Sequence, residues 1–192
     1  EEVTTSAKIM LGKILAKNGI HDIVKNPIFR TNVVSVKARG IGSSRVRALQ
    51  AMHLGLSAFG NLFARRALKL FYERVIFACS DASLLEKLSN NMRTKVYLLT
   101  ADNLADALLS SGSIPIVLDG VRNISGAGDG LYWDGGIVDY HFDWPFCEMD
   151  NLVLYPHFSS QIIPGWFDKR LKWRKINEEN LSNVVMLAPS KE

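Results

Sequence analysis

Asp134 ends a short apolar segment and is followed by two glycines, Gly135 and Gly136. A carboxylate at the end of a strand, followed by residues without side chains, can exchange a proton with a bound substrate. Glycine adopts positive φ without strain and leaves its N–H groups uncovered, so we expect a tight turn that another molecule can approach. The glycine-rich residues 126–130 lead into the same segment. Together these features predict a catalytic carboxylate at Asp134.

Polar residues recur at alternate positions just after the glycines, at Asp139, His141 and Asp143. On a strand their side chains would all point to one side, and His157 could complete a metal site of carboxylate and imidazole ligands. The same spacing also fits polar residues that fix a loop near the active site, and we favour this interpretation. We therefore assign no metal ion and no cofactor.

A serine nucleophile of an esterase often lies on a strained turn between a strand and a helix, with the pattern Gly-x-Ser-x-Gly. The nearest match is Ser57, but Phe59 stands in place of the second glycine and a helical pattern surrounds the serine. We expect a serine that is buried or half-buried on a helix. Residues 40–43, Gly-Ile-Gly-Ser, could form a phosphate or oxyanion loop, yet Gly-x-Gly alone is a weak signal and favours a plain strand-to-helix turn.

Hydrophobic periodicity predicts the elements that position these residues. Helices are predicted from Thr5 or Ser6 to about Gly19, over residues 46–71 with a break near Gly60, from Ser80 or Asp81 to Leu88, and from the N-cap Asn103 to Gly112. Strands are predicted at residues 29–36, 74–78, 97–99, 116–118, 131–133, 152–155 and 184–187. The first helix should face the core through its apolar residues Ile9, Met10, Ile14 and Leu15. Strands that alternate with helices are typical of an α/β fold with a layered sheet.

The composition limits the class of protein. With 192 residues, of which 47% are hydrophobic and 22% charged, the chain fits one globular domain with a sizeable core. A net charge of +4 is too small to indicate nucleic-acid binding. Cys79 and Cys147 lie far apart without metal-ligand spacing, which argues against a zinc site and a disulfide and favours a reducing compartment, the cytoplasm.

Residues 107–115, Ala-Leu-Leu-Ser-Ser-Gly-Ser-Ile-Pro, and residues 130–136, Gly-Leu-Tyr-Trp-Asp-Gly-Gly, resemble the second half of the patatin-like phospholipases, a family of lipid acyl hydrolases. In that family a small-residue helix ending in Ser-x-Ile-Pro precedes an Asp-Gly-Gly motif at a similar separation. Residues 139–141, 154–158 and 164–169 resemble the bacterial branch. The resemblance implies a three-layer α/β/α patatin-like (lysophospholipase-like) sheet. The chain starts with Glu1 in a helical pattern, so we expect residues 1–192 to be the C-terminal portion of a single acyl hydrolase domain and the sheet to be incomplete.

The resemblance also implies a Ser–Asp dyad, in which a serine attacks a phospholipid or another lipid ester and the Asp takes its proton. By motif position Asp134 is that Asp, and Gly135 and Gly136 are the motif glycines. The residues expected around the active site are Ser113, Pro115, Asp139 and His141. The serine and the oxyanion loop should lie before residue 1, so we expect this chain alone to be inactive and to need that missing N-terminal segment. The alternative is a non-catalytic lipid-binding or interaction module on the same fold.

Large aromatic and basic side chains alternate in residues 166–175, where Trp166 and Trp173 flank Lys169 and Arg170. This mixture is typical of protein segments at a membrane–water interface. The alternative is a short basic segment whose tryptophans pack on the core. The sequence thus predicts a cytoplasmic protein with a peripheral membrane contact at this segment.

Overall fold

A computed structural model of the protein describes residues 2–16, 18–79 and 92–190. The helices are α1 (Glu2–Leu15), α2 (Gly19–Val24), α3 (Arg47–Phe63), α4 (Leu68–Phe71), α5 (Leu104–Ser111) and α6 (Gly136–Asp139). The strands are β1 (Asn32–Ala38), β2 (Tyr72–Ala78), β3 (Thr94–Leu98), β4 (Val121–Arg122), β5 (Leu131–Asp134), β6 (Val153–Pro156) and β7 (Val184–Leu187). The helix predicted from Ser80 or Asp81 to Leu88 lies outside the described residues.

Five strands form a mixed sheet in the order β3-β2-β1-β5-β4. The central strand β1 is antiparallel to both of its neighbours, β2 and β5, whereas β2 and β3 are parallel. The predicted α/β class is therefore confirmed. The last two predicted strands are also present, but β6 and β7 pair with each other in a separate parallel sheet.

The sheet is buried on both faces. Successive side chains of a strand point to opposite sides, so Val33 and Val36 of β1 belong to different hydrophobic clusters. Helices α1, α2 and α5 cover the face that contains Val33. Residues of α4 and α6 cover the other face, around Val36 and Trp133. This double cover holds β5, and Asp134 at its end, in a fixed position.

A long excursion, residues 39–71, connects the antiparallel neighbours β1 and β2. Ala38 lies directly opposite Tyr72, so a hairpin turn of about two to five residues could join the two strands. Instead the chain forms a 3₁₀ turn at Gly40–Ser43, then α3, a second 3₁₀ turn and α4. The predicted helix break occurs at Ala64, four residues later than expected.

Helix α3 turns its apolar residues outward, which reverses the usual arrangement of an amphipathic helix. Its buried residues are polar: His53, Ser57 and Asn61. The rings of Phe71 and Tyr72 contact His53 edge-on, and Ser57 and Asn61 form hydrogen bonds inside the protein. Specific polar contacts, which periodicity does not detect, therefore decide which side of α3 is buried.

Three further expectations are wrong in detail. Helix α1 exposes Ile9, Met10 and Ile14 and packs through Ala7, Leu11 and Leu15, so only part of it faces the core as predicted. Residues 116–118 form a turn and no strand, with φ of +76° at Ile116. Asn103 is confirmed as the N-cap residue of α5, but its side chain forms no capping hydrogen bond with the helix. It accepts from the Thr100 N–H and donates to the Leu98 and Ser125 carbonyls.

Candidate functional site

Asp134 lies at the end of β5, opposite Ser35 of β1. Its backbone N–H donates to the Ser113 carbonyl at 3.0 Å, and its side-chain Oδ1 accepts from the Gly136 N–H at 2.7 Å. The second carboxylate oxygen has no hydrogen-bond partner among the residues that the structure describes. A half-buried carboxylate is thus held through one oxygen while the other is free to accept a proton.

The two motif glycines are required for close packing and not for positive φ. Gly135 has φ of −58°, and Gly136 begins α6. A Cβ on Gly135 would lie 2.6 Å from the Val34 carbonyl oxygen of β1, so no larger residue fits between the strands and the turn. The expected positive φ occurs earlier, at Gly126, Gly128 and Gly130 before β5. The Gly136 N–H, predicted to be uncovered, is occupied by Asp134.

Burial raises the pKa of the Asp134 carboxyl above its ordinary value. The Gly136 N–H and the positive charge of Lys169 oppose this shift and lower the pKa again, but burial has the larger effect. A raised pKa makes a carboxylate a stronger base at neutral pH. The environment of Asp134 therefore favours proton acceptance.

A small cavity of about 150 Å³ adjoins Asp134. Pro115, Trp166 and Lys169 line it together with Asp134 and Tyr140, and the Lys169 Nζ lies 4.0 Å from the centre of the Tyr140 ring. The structure therefore brings Asp134, Gly136, Pro115, Trp166 and Lys169 together, although the sequence assigned two of them to a membrane contact. A larger cleft of about 410 Å³ reaches Asp134 and Asp139.

Ser113 supports the site through its backbone. Its side chain is fully buried, and the Oγ donates to the Leu109 carbonyl at 2.7 Å. Its own carbonyl accepts the Asp134 N–H. The hydroxyl is turned into α5, so Ser113 positions Asp134 and does not present a nucleophile to it.

Asp139 fixes the turn that follows Asp134 through buried contacts with Arg74 and Trp144. It lies on the short helix α6, so the strand that the alternative metal site would need is not formed here. Both of its oxygens accept hydrogen bonds from Arg74 of β2, each at 2.5 Å, and the Trp144 indole donates to it at 3.1 Å. The ion pair is almost fully buried. Asp139 is thus a positioning residue for the segment that follows Asp134.

Arg65 and Asp168 extend this buried network, and sequence reasoning missed both. The Arg65 Nη1 lies 3.3 Å from Asp168, and its Nη2 donates to the Val138 carbonyl. Asp168 also accepts from the Asn61 amide at 2.7 Å. A signal for the buried pair of Arg74 and Asp139 exists in the sequence. Arg74 begins the apolar strand Arg-Val-Ile-Phe-Ala, and a buried arginine requires an acidic partner.

His141 is buried against a second imidazole. Its Nδ1 accepts the Ile163 N–H at 2.6 Å, and its ring lies 4.0 Å from the His157 ring at a right angle. Burial, His157 and Lys169 together lower the pKa of His141 to about 4. Asp143 lies elsewhere, bonded to the Asn180 side chain at 3.2 Å. Within the described ranges no group of three or more His, Cys, Asp or Glu side chains is placed to hold a metal ion.

Acid is expected to destabilise the fold because His141 takes up a proton more readily in the unfolded chain than in the folded protein. Its folded-state pKa of about 4 is below the ordinary 6.5, so the unfolded chain takes up the proton first and the free energy of unfolding falls as the pH drops from 6.5 towards 4. This residue alone should cost about 2 kcal/mol between pH 7 and pH 5. Urea unfolding at both pH values measures the loss.

His141→Asn is the matched variant for the acid experiment. The Asn side-chain oxygen can still accept the Ile163 N–H, but the residue no longer titrates. The difference in unfolding free energy between pH 7 and pH 5 should therefore shrink by about 2 kcal/mol relative to the wild-type protein. Equal slopes for the two proteins would contradict the assignment to His141.

The two other candidates for chemistry are structural. Ser57 is fully buried on α3, where its Oγ donates to the Leu54 carbonyl at 2.8 Å, and this confirms the predicted buried serine. Gly40–Ser43 forms a 3₁₀ turn between β1 and α3. A Cβ on Gly42 would lie 2.6 Å from the His53 ring, so the glycine is needed for packing. The predicted plain turn is confirmed.

The basic aromatic segment, residues 166–175, lies along the C-terminal half of α3. Arg174 donates to the Asn61 carbonyl at 2.6 Å. Trp173 is 65% exposed, and Lys169 and Arg170 are exposed as well, so packing on the core is wrong for Trp173. Trp166 is half-buried and contacts Phe167, with ring centres 5.5 Å apart. Among the described helices, none is long and apolar enough to cross a bilayer.

Comparison of the chain with protein-family models, with curated proteins and with solved structures finds no match. The resemblance to the patatin-like phospholipases consequently stays a prediction from the motifs. A function must therefore be inferred from the geometry around Asp134.

Proposed function

We propose that this chain is the C-terminal portion of a patatin-like lipid acyl hydrolase in which Asp134 accepts the proton of a serine nucleophile. The observation that carries the proposal is the state of Asp134. It is a half-buried carboxylate with a raised pKa that lines a cavity, and one of its oxygens has no hydrogen-bond partner among the described residues. The finer fold, a three-layer α/β/α sheet of the patatin-like kind, is part of the same proposal. Helices on both sheet faces are compatible with it.

The proposed reaction begins when the serine oxygen attacks the ester carbonyl carbon of a phospholipid or another lipid ester. The serine proton passes to Asp134, and the carbonyl oxygen becomes an oxyanion that backbone N–H groups stabilise. Collapse of this intermediate breaks the ester bond, and the leaving alkoxide takes the proton from Asp134. Water then hydrolyses the acyl-serine by the same steps. Because an Asp is a weak base, the oxyanion contacts must supply much of the rate.

The nucleophile in this proposal comes from outside the described residues. The Ser57 and Ser113 hydroxyls both donate to backbone carbonyls three or four residues earlier in the chain, and neither hydroxyl forms a hydrogen bond with Asp134. The Gly136 N–H is already occupied by Asp134, so the oxyanion contacts must also come from another segment. The proposed partner that completes the site is a segment of the same polypeptide that precedes residue 1.

A fluorophosphonate probe tests the proposal, because it forms a covalent bond only with an activated serine. We expect it to label the natural polypeptide, with any segment encoded upstream, at one serine within a Gly-x-Ser-x-Gly pattern before residue 1. Peptide mass spectrometry identifies the labelled residue. Absence of labelling, or labelling at Ser57 or another serine of this chain, would contradict the proposal.

A non-catalytic lipid-binding or interaction module is the second candidate. The exposed apolar side of α3 favours this second candidate, because a module that binds a lipid or a partner requires an exposed apolar surface. Binding of phospholipid vesicles by a natural polypeptide that the fluorophosphonate does not label would select this candidate.

Reversing the charges of the basic segment is expected to weaken binding to anionic vesicles. Lys169, Arg170 and Lys172 are exposed, and a basic residue close to an anionic bilayer contributes about 1 kcal/mol to binding. Replacing all three by Glu should weaken binding by at least about 100-fold. Co-sedimentation with phosphatidylserine-containing vesicles measures the effect.

Lys13, Lys25 and Arg30 provide a matched control for that experiment. They are equally exposed but lie on α1 and in the loop before β1, away from the basic segment. Their replacement by Glu makes the same change in net charge and should reduce binding much less. Equal losses in the two triple variants would show that net charge alone, and not this segment, governs binding.

A further inference from the structure

The apolar side of α3 is exposed, although the helix packs on the protein through its other side. We call it the α3 face, and it consists of Met52, Leu56, Phe59, Leu62 and Phe63. Phe59 is 63% and Phe63 74% exposed, and their rings contact each other at 5.1 Å. Apolar residues scattered singly on a surface need no explanation, but a contiguous patch marks a binding surface.

The sheet does not require the α3 face. The excursion over residues 39–71 connects two strands that a short turn could join. The helix is held by its polar side, through Ser57 and Asn61, so its apolar side is left available for contact beyond the residues that the structure describes.

Positive charges lie at both ends of the face. Residues 45–72 contain five basic residues and no Asp or Glu: Arg45, Arg47, Arg65, Arg66 and Lys69. Arg65 is paired with Asp168 in the buried network and Arg47 is paired with Asp119, so the border charges are those of the other three. Arg66 is exposed, and Lys69 is half-buried. A helix with Phe and Leu on one side and basic residues at its border has the composition of a helix that lies in the plane of a membrane surface.

The basic aromatic segment contacts the polar side of α3, opposite the α3 face. Asn61 of α3 donates to Asp168 at 2.7 Å, and Arg174 donates to the Asn61 carbonyl, so the segment is fixed beside the helix. Exposed Trp173 precedes Arg174 directly. Tryptophan concentrates at the membrane–water interface, where its ring is apolar and its N–H reaches water. Trp173 thus adds an exposed aromatic side chain beside the same helix.

We propose that the α3 face docks on an anionic lipid bilayer, with α3 parallel to the membrane and Phe59 and Phe63 inserted at the boundary of head groups and acyl chains. The basic border contacts the lipid phosphates and carboxylates. A second copy of this chain is the weaker match, because a symmetric contact through the face would bring two identical basic borders together. The proposal extends the membrane contact of the basic segment to a specific helix and does not depend on hydrolysis.

Vesicle binding by the natural polypeptide tests the proposal. We expect Phe59→Ser with Phe63→Ser to weaken binding to phosphatidylserine-containing vesicles by about tenfold to a hundredfold, because two partly inserted rings are lost. Ile28→Ser with Phe29→Ser is the matched control. Those side chains are similarly exposed, but they precede the opposite end of β1, about 20 Å from the excursion. The control variant should bind like the wild-type protein.

A dye at position 59 reports insertion directly and uses no catalytic readout. The variant carries Phe59→Cys, with Cys79 and Cys147 replaced by Ser, and is labelled with an environment-sensitive fluorophore. Vesicles should shift its emission to the blue, and brominated lipids should quench it. This result can be obtained whether or not fluorophosphonate labelling supports the hydrolase, so the two proposals can fail separately.

Several results would overturn the docking proposal. Unchanged vesicle binding by the Phe59/Phe63 variant, or dye emission that vesicles do not alter, would show that the face does not enter the bilayer. A dimer in analytical ultracentrifugation that the two Phe substitutions dissociate, with vesicle binding unchanged, would assign the face to a second copy. Failure of the thiol introduced by Phe59→Cys to react in the folded natural polypeptide would assign the face to an upstream segment.

Discussion

Asp134→Asn is expected to lower kcat for ester hydrolysis by the natural polypeptide by about 10²- to 10⁴-fold, the usual effect of a general base. An Asn cannot take the serine proton, but its side-chain oxygen can still accept the Gly136 N–H. The turn and the cavity should therefore persist, and KM should change little because substrate contacts are intact. Steady-state hydrolysis of a short-chain ester measures both constants.

Asp129→Asn is the control for this experiment. Asp129 is an exposed carboxylate in the glycine-rich loop just before β5, and its substitution makes the same change of charge close to the site. Its kcat should stay within about twofold of the wild-type value, as expected for a surface substitution. Retention of full kcat by Asp134→Asn would refute the proton transfer assigned to Asp134.

The position of Asp134 could be predicted because its signals are local. The apolar residues before it specify a buried strand, and the glycines after it specify a turn, so the carboxylate had to lie at a strand end. The reason for the glycines was predicted wrongly. Gly135 is needed because the carbonyl of Val34 lies against it, and Val34 belongs to a strand that is about 100 residues earlier in the chain. Distant contacts of this kind leave no local pattern.

The outward orientation of α3 illustrates a second limit of sequence reasoning. Periodicity places the apolar row and the polar row correctly on opposite sides of the helix, but it assumes that the apolar row is buried. In this protein His53, Ser57 and Asn61 are buried because particular partners contact them: Tyr72 packs against His53 and bonds Ser57, and Asp168 accepts from the Asn61 amide. Two of those partners, Tyr72 and Asp168, come from β2 and from the basic aromatic segment. The partners, and hence the orientation, follow only from the assembled fold.

Asp139→Ala is expected to destabilise the fold by about 3–5 kcal/mol, because it leaves the buried guanidinium of Arg74 without its partner. Removal of a carboxylate from a buried pair costs far more than the pair contributes, since an uncompensated charge then remains away from water. The loss is a large fraction of the about 5–15 kcal/mol that stabilises a typical domain. Urea unfolding, with the midpoint and slope fitted separately, measures it.

Two further variants identify the origin of this loss. Arg74→Met with Asp139→Leu removes both charges and fills the space with apolar atoms, so it should recover most of the stability that Asp139→Ala loses. Lys95→Ala is the control, because it breaks a more exposed ion pair in which the Lys95 Nζ lies 3.5 Å from the Glu73 Oε1. It should lower the free energy of unfolding by less than about 1 kcal/mol. A double variant as unstable as Asp139→Ala would show that the carboxylate acts through Trp144 and Arg65 and not through Arg74. Helix α6, which follows Asp134, would then be held by Trp144 and Arg65, although the shortest contacts of Asp139 are with Arg74.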